Sequence, residues 1–264
     1  MIRVMVCGAY GKMGREVLRA VHEDQQLSIV GAMDINSDFA DVGDIIGAGK
    51  TGVTVGNDLV TVINETKPQV MVDFTNPEAV MNNTQLAIKN GVCPVVGTTG
   101  LAEADINELR KLCTASKVNA IISPNFSIGA ILMMKLAQEA AKYLPHVEII
   151  EMHHDQKLDA PSGTGLRTAE MIASVRGEMR QGHPRETEKL PGARGGELAG
   201  IRLHSVRLPG YVAHQEVIFG GLGQTLSIRH DSISRESFMP GVVLACKKVL
   251  TVDGLIVGLE HIMD

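Results

Sequence analysis

The chain has 264 residues, of which 44% are hydrophobic, with 28 glycines, no tryptophan and a formal net charge of -5. Domains typically hold roughly 100 to 200 residues, so the length admits one large domain or two ordinary ones, and the composition is that of an α/β protein rich in tight turns. A negative balance without clustered Lys and Arg argues against nucleic acid, and no apolar run is long enough to span a membrane. Small molecules are therefore the expected partners. The opening stretch MIRVMVCGAYGKMG passes from a short apolar run straight into glycines, without the pattern of a secretory leader, so a cytoplasmic location is expected.

Up to about Ser123, short β-branched runs alternate with longer amphipathic stretches, the pattern of a doubly wound parallel sheet. Strands are predicted at Arg3 to Cys7, Leu27 to Met33, Val70 to Asp73, Cys93 to Gly97 and Ala120 to Ser123. Helical spacing covers Gly14 to Glu23, Pro77 to Asn90 and Ala102 to Ala115, with Pro77 suited to a first turn and Asn90-Gly91 to a stop.

After Asn125 the texture changes. An apolar helix is predicted from Ile128 to Tyr143, a strand from Val147 to about His154 and a helix from Thr164 to Val175. The stretch Gln181 to Gly200, rich in Gly, Pro and charge, reads as a mobile or partner-facing loop. Alternating runs at Ile201 to Arg207, His214 to Phe219 and Thr225 to His230 predict a mixed open sheet. A last helix, Ser237 to Leu250, and the apolar Leu255 to Leu259 resemble the first region again. The expected organisation is a Rossmann-like domain, residues 1–124 with 235–264, and a second α+β domain, residues 125–234, for substrate binding and oligomerisation.

The first strand runs into Gly8, Ala9, Tyr10, Gly11, Lys12, Met13 and Gly14. Tyr10 stands where the strict dinucleotide fingerprint has its second glycine, yet a tight turn leading into a helix start remains, where free amides favour a pyrophosphate. Asp34 closes the second strand at the distance where an acidic side chain accepts the ribose hydroxyls. No Arg or Lys follows it in DINSDF, which suits NADH, while Lys12 leaves NADPH open. Gly97, Thr98 and Thr99, and then Ser123, Pro124, Asn125 and Phe126, follow later strands and are placed either to complete a nicotinamide cleft or simply to turn the chain.

The segment EMHHDQKLDAPSGTG, Glu151 to Gly165, sets His153, His154 and Lys157 before a Pro-Ser-Gly-Thr helix start. Such a combination attracts a small acid: Ser162 caps the helix, the amides of Gly163 and Thr164 face an anion, and Lys157 adds a point charge. Histidine and lysine also supply proton donors near neutral pH. Adjacent strand residues face opposite ways, so His153 and His154 share a pocket only if the strand ends there. A metal site from His153, His154, Asp155 and Asp159 lacks a second converging cluster, and Cys7, Cys93, Cys113 and Cys246 form no Cys-x-x-Cys pair, so no metal is expected. Glu151 has no role in this reading.

Over its whole length the sequence resembles the 4-hydroxy-tetrahydrodipicolinate reductase (dihydrodipicolinate reductase) family, through GAYGKMG, Asp34, GTT, SPNF and above all EMHHDQKLDAPSGTG. The resemblance implies NADH or NADPH as cofactor, His153 as catalytic acid or base, Lys157 as proton donor, and His154, Ser162, Gly163 and Thr164 on the substrate carboxylates. It implies hydride transfer to C4 of a cyclic unsaturated dicarboxylate imine in the diaminopimelate and lysine pathway, by a cytoplasmic homotetramer. An aspartate-type amino-acid dehydrogenase and a non-catalytic NAD(P) sensor are the alternatives.

Overall fold

Strand β1 (Ile2–Cys7) buries four of its six side chains, as a central strand covered on both faces must. In the computed structural model, which describes residues 1–263, the chain forms two compact units. The first comprises Met1–Phe126 and the chain from Phe238 onward, and the second Ser127–Ser237.

In the first unit β1 is followed by α1 (Lys12–Glu23), β2 (Leu27–Met33), α2 (Val42–Ile46), β3 (Val55–Gly56) and α3 (Leu59–Thr66). Then come β4 (Val70–Asp73), α4 (Pro77–Lys89), β5 (Cys93–Val96), α5 (Glu103–Ser116) and β6 (Ala120–Ile122). All strand pairs are parallel, in the order β3-β2-β1-β4-β5-β6. The order reverses between β1 and β4, so the loops leaving those two strands flank the crevice where such sheets receive ligands. Met5, Cys7 and Met71 belong to one buried cluster, and Val96, Ala120 and Ile122 to a second beside it on the same face of the sheet, with α4 contributing to both.

Three short elements, α2, β3 and α3, lie where the sequence analysis predicts no element. Local polar bonds hold α2: the Asp41 carboxylate accepts the amides of Gly43, Thr51 and Gly52 at 2.7, 3.0 and 2.8 Å. α2 and β3 are too short to display an apolar period, whereas α3 does carry one, burying Leu59, Val62 and Ile63 at helical spacing.

The second unit contains α6 (Ile128–Ala141), β7 (His146–His153), α7 (Gly163–Arg176), β8 (Gly196–Leu198), β9 (Ile201–Arg207), β10 (Ala213–Gly221) and β11 (Gln224–Ser232). Its sheet runs β11-β10-β7-β9-β8, with β7 and β9 parallel and the other pairs antiparallel. Helices α6 and α7 pack on one face.

The stretch from Gln181 to Gly200, expected as a mobile or partner-facing loop, is mostly turns and exposed coil but holds one short strand and several polar anchors. Residues Gly196–Leu198 form the edge strand β8, the Gln181 side chain bonds both backbone groups of Val147 at 3.0 and 2.8 Å, and Arg194 pairs with Glu148 at 2.5 Å. Polar anchoring replaces the apolar period that the segment lacks.

Beyond the second unit, α8 (Met239–Lys248) packs on α1 and is tied to it by Lys247 Nζ, 2.7 Å from Asp24 Oδ2. Strand β12 (Leu255–Val257) then joins β6 as a seventh parallel strand. Among the described residues no helix is long and apolar enough to cross a membrane.

Candidate active site

Gly8 leaves β1 at φ +82°, a conformation that glycine adopts without steric cost. A β-carbon there would also lie 2.4 Å from the Phe74 carbonyl oxygen. Gly11 caps α1 without any side-chain hydrogen bond, and no acid occupies the first turn, so the positive end of this helix is left for an anion. Ala9 is fully buried, Lys12 is exposed and Met13 is half-buried. Gly8, Tyr10, Gly11, Asp34, Phe74 and Thr75 line a cavity of about 380 Å³. Asp34, nearly buried, accepts the Tyr10 amide on Oδ2 and the Asn36 amide on Oδ1, both at 3.0 Å. The carboxylate that sequence reasoning offers to a ribose therefore also fixes the glycine turn. A glycine turn forced by close backbone approach, an uncapped helix end and a carboxylate beside one cavity fit a dinucleotide.

The next two loops are joined through Asp73, whose importance the sequence reading missed. This buried carboxylate closes β4 and accepts the hydroxyls of Thr75 and Thr98, each at 2.7 Å, and the Asn83 side-chain amide at 2.9 Å. The Gly97 amide donates to the Asp73 carbonyl at 2.9 Å, and a β-carbon on Gly97 would strike the Phe74 ring. Thr99 and Pro124 are exposed, Asn125 is half-buried and Phe126 is buried against Phe74, their ring centroids 5.8 Å apart. Ser123 Oγ donates to the Asn125 carbonyl at 2.6 Å and accepts the Leu259 amide at 3.2 Å, which fastens this loop to the returning C-terminal segment. The signal for Asp73 was its position in VMVDFTN, an acid closing an apolar strand.

In the second unit β7 ends at His153, so the alternation that would separate His153 from His154 stops between them. Glu151 and His153 share one face of the strand, two residues apart. The Glu151 carboxylate is completely buried and bonds His153 Nδ1. It accepts Arg207 Nη1 on Oε2 at 3.0 Å, and Arg207 Nη2 and the Ser162 amide on Oε1 at 2.8 and 3.3 Å. Burial alone would raise its pKa, but hydrogen bonds from His153, Arg207 and Ser205 prevail and bring it down to about 2. Arg207 escaped the sequence reading because it lies 56 positions from Glu151, at the end of a strand whose pairing no local pattern reveals.

Arg207 also donates to the Asp159 carbonyl at 2.8 Å, and Lys157 Nζ lies 2.6 Å from Asp159 Oδ1. The hydrogen bond from Lys157 is the main reason the Asp159 carboxyl titrates below its ordinary range. Ser162 Oγ accepts the Gly165 amide at 3.1 Å and so caps α7, which has no acid in its first turn. A β-carbon on Gly163 would meet nothing within 4 Å, so the approach to this helix end is open, with Thr164 next in the turn. His154 is exposed. Among the described residues no three His, Cys, Asp or Glu side chains gather as metal ligands. One stretch of chain thus carries a histidine bonded to a buried carboxylate, a lysine paired with Asp159 and a serine-capped helix start, groups of the kind that hold an anion or move a proton.

Comparison with known proteins follows the same division. Residues 2–126 match the family model described as dihydrodipicolinate reductase, N-terminus, and residues 129–263 the one described as dihydrodipicolinate reductase, C-terminus. The 4-hydroxy-tetrahydrodipicolinate reductase of Desulfitobacterium hafniense is 56% identical over 264 residues, covering 100% of this chain and 99% of that one. That of Syntrophomonas wolfei is 54% identical over 261 residues, 99% and 98% of the two chains. A solved dipicolinate-bound dihydrodipicolinate reductase from Paenisporosarcina sp. TG-14 superposes with a TM-score of 0.89 at 46% identity, covering 100% of both chains. An amine dehydrogenase from Mycobacterium smegmatis, 16% identical with a TM-score of 0.69, shares the fold. Matched in both of its parts and close to full-length relatives throughout, the chain belongs to the dihydrodipicolinate reductase family.

Proposed function

We propose that this chain reduces 4-hydroxy-tetrahydrodipicolinate to tetrahydrodipicolinate in the diaminopimelate and lysine pathway, using NADH or NADPH. The observation that carries this reading is the occurrence of His153, Lys157 and the start of α7 on one short segment, in a chain 56% identical to a named reductase of that substrate. Bound NADH or NADPH supplies a hydride. With water lost from C4, the substrate is a cyclic unsaturated imine. Hydride addition at C4 pushes an electron pair toward the imine nitrogen, and a proton delivered to the neighbouring carbon restores the C=N bond.

The chain's own residues bind, orient and protonate. His154, Ser162, Gly163 and Thr164 hold the carboxylates, with the helix dipole of α7 favouring their charge. Lys157 donates the proton, and His153 serves as the acid or base that supports it. In the first unit the turn Gly8 to Met13 takes the pyrophosphate and Asp34 the adenosine ribose. Gly97 to Thr99 and Ser123 to Phe126 hold the nicotinamide.

Asp34, with no basic residue from Ile35 to Phe39, suits the ribose of NADH, so NADH is at least tolerated, while Lys12 in the glycine turn leaves NADPH open. Residues 1–124 with 235–264 serve the nucleotide. Residues 125–234 serve the substrate and assemble a homotetramer in the cytoplasm.

The test is a coupled assay in which pyruvate, aspartate semialdehyde and the preceding synthase generate the unstable substrate, run side by side with each cofactor. Oxidation of either cofactor that depends on the synthase supports the proposal. No turnover with either overturns it, and turnover of L-aspartate alone replaces it with an aspartate-type dehydrogenase. Sedimentation gives the assembly: a mass four times that of the chain is expected, and a monomer would remove the tetramer.

A further inference from the structure

We propose that Glu151, clamped by Arg207, is the positioning residue of the proton chemistry, fixing the tautomer of His153 and holding both ends of the Asp159 to Ser162 segment, to which Lys157 is anchored. This inference rests on the reading of His153 as the acid or base.

Glu151 has no route to solvent: its side chain is 0% exposed. A buried ion pair is by itself weak evidence for stability, because desolvation offsets most of the attraction. What distinguishes this pair is the set of groups it joins. One oxygen faces His153 Nδ1, so the neutral ring carries its proton on Nδ1 and leaves Nε2 as the nitrogen that exchanges protons. When the imidazolium gives up a proton from Nε2, the ring returns to the same Nδ1–H form and the Nδ1 proton stays with the carboxylate. No proton passes to Glu151 itself.

The second oxygen takes the Ser162 amide, and Arg207 reaches from Glu151 to the Asp159 carbonyl. Both flanks of the Asp159 to Ser162 segment are thus referred to one fixed carboxylate, and Lys157 is anchored to that segment through the Asp159 side chain. His153 and Arg207 are the ionisable groups bonded to Glu151, while Ser162 and Ser205 contribute uncharged donors. Misplacement of such groups by about 1 Å is enough to slow a reaction roughly 100-fold.

The experiment has two arms. In the unmodified protein, 15N NMR of His153 is expected to show the neutral ring as the Nδ1–H tautomer, and an Nε2–H ring overturns the inference without any variant having to fold. In the second arm, Glu151→Gln keeps the shape while removing the charge. It is expected to lower kcat by at least about 100-fold, with substrate and cofactor KM changed less than about threefold and a shifted His153 tautomer balance.

The double variant Glu151→Gln/His153→Ala is expected to be slower than His153→Ala alone, but by much less than the factor that Glu151→Gln costs the unmodified protein, since the part of that factor that acts through His153 is already lost. Equal loss of kcat and gain in KM with an unmoved tautomer would assign Glu151 a merely structural role and overturn the inference. Full activity of His153→Ala would instead remove the underlying reading of the site. His153→Ala inactive with Glu151→Gln fully active removes only the inference.

Discussion

Gly14 at the start of α1 lies against the carbonyl of Gly8 at the end of β1, so close that a β-carbon on Gly14 would come within 1.9 Å of that oxygen. Strand and helix meet here backbone to backbone. Gly14→Ala must push them apart, with a stability loss of about 1–3 kcal/mol, typical of overpacking. It is also expected to weaken binding of NADH and NADPH together, because the turn that both pyrophosphates share is displaced. Chemical denaturation followed by circular dichroism, with cofactor titration, checks both. Unchanged stability would contradict the contact.

Asp34 bonds the Tyr10 amide and, as proposed, the ribose. Losing a hydrogen bond to a charged acceptor costs about 1.5–3 kcal/mol, so Asp34→Asn is expected to raise the KM for NADH roughly 10- to 100-fold. The KM for NADPH is expected to move less, because the repulsion of its 2'-phosphate falls at the same time. Equal and unchanged KM values for both cofactors would exclude a ribose role.

Lys157 pairs with Asp159, whose side chain is 61% exposed, and exposed pairs contribute only about 0–1 kcal/mol. Lys157→Met should therefore leave unfolding nearly unchanged while lowering kcat by about 10²- to 10⁴-fold, the range for loss of a general acid. Steady-state kinetics beside a denaturation curve separate the two effects. A kcat within about threefold of the unmodified protein removes Lys157 as proton donor.

Glu151 titrates at about 2 in the folded chain against an ordinary 4.5. Its folded-state pKa is depressed, so its contribution is present above about pH 4.5 and is lost as the pH falls through about 2. The difference corresponds to roughly 3 kcal/mol. Acid unfolding of the unmodified protein is expected to steepen in this window, and Glu151→Gln to flatten that slope. Identical slopes would show that the carboxylate is not held ionised.

Burial pushes the thiol of Cys246 up to about 12 and that of Cys113 up to about 11, and Cys7 well above its ordinary value. Only the thiolate reacts readily. A thiol reagent at neutral pH is expected to label at most the half-buried Cys93 in the folded protein, and all four cysteines once it is unfolded. Rapid labelling of Cys7 or Cys246 would contradict the packing of the first unit.

Much of the architecture was legible because strand and helix periods are local. β1, β2, β4, β5 and β6 occur at their predicted places, with ends shifted by no more than one residue. The missed α2 and β3 are too short to show a period, and α2 depends on the Asp41 carboxylate reaching Thr51 and Gly52 ten and eleven residues away, whereas α3 was missed although Leu59, Val62 and Ile63 stand at helical spacing. β8 was read as part of a loop because three residues at a sheet edge, with two exposed side chains, carry no apolar alternation.

By itself the sequence determined the order of strands and helices, the glycine turn after β1, and the grouping of His153, His154, Lys157 and Ser162 within ten residues of chain. These are properties of neighbouring residues, decided by backbone sterics, side-chain period and helix capping. Only the tertiary structure decided what Glu151 does. Its partner Arg207 comes from β9, and their meeting depends on the parallel register that sets Glu151 beside Ser205 and His153 beside Arg207. A carboxylate so deeply buried remains ionised only because donors from β7, β9 and the start of α7 converge on it. That convergence is a consequence of packing, not of spacing along the chain.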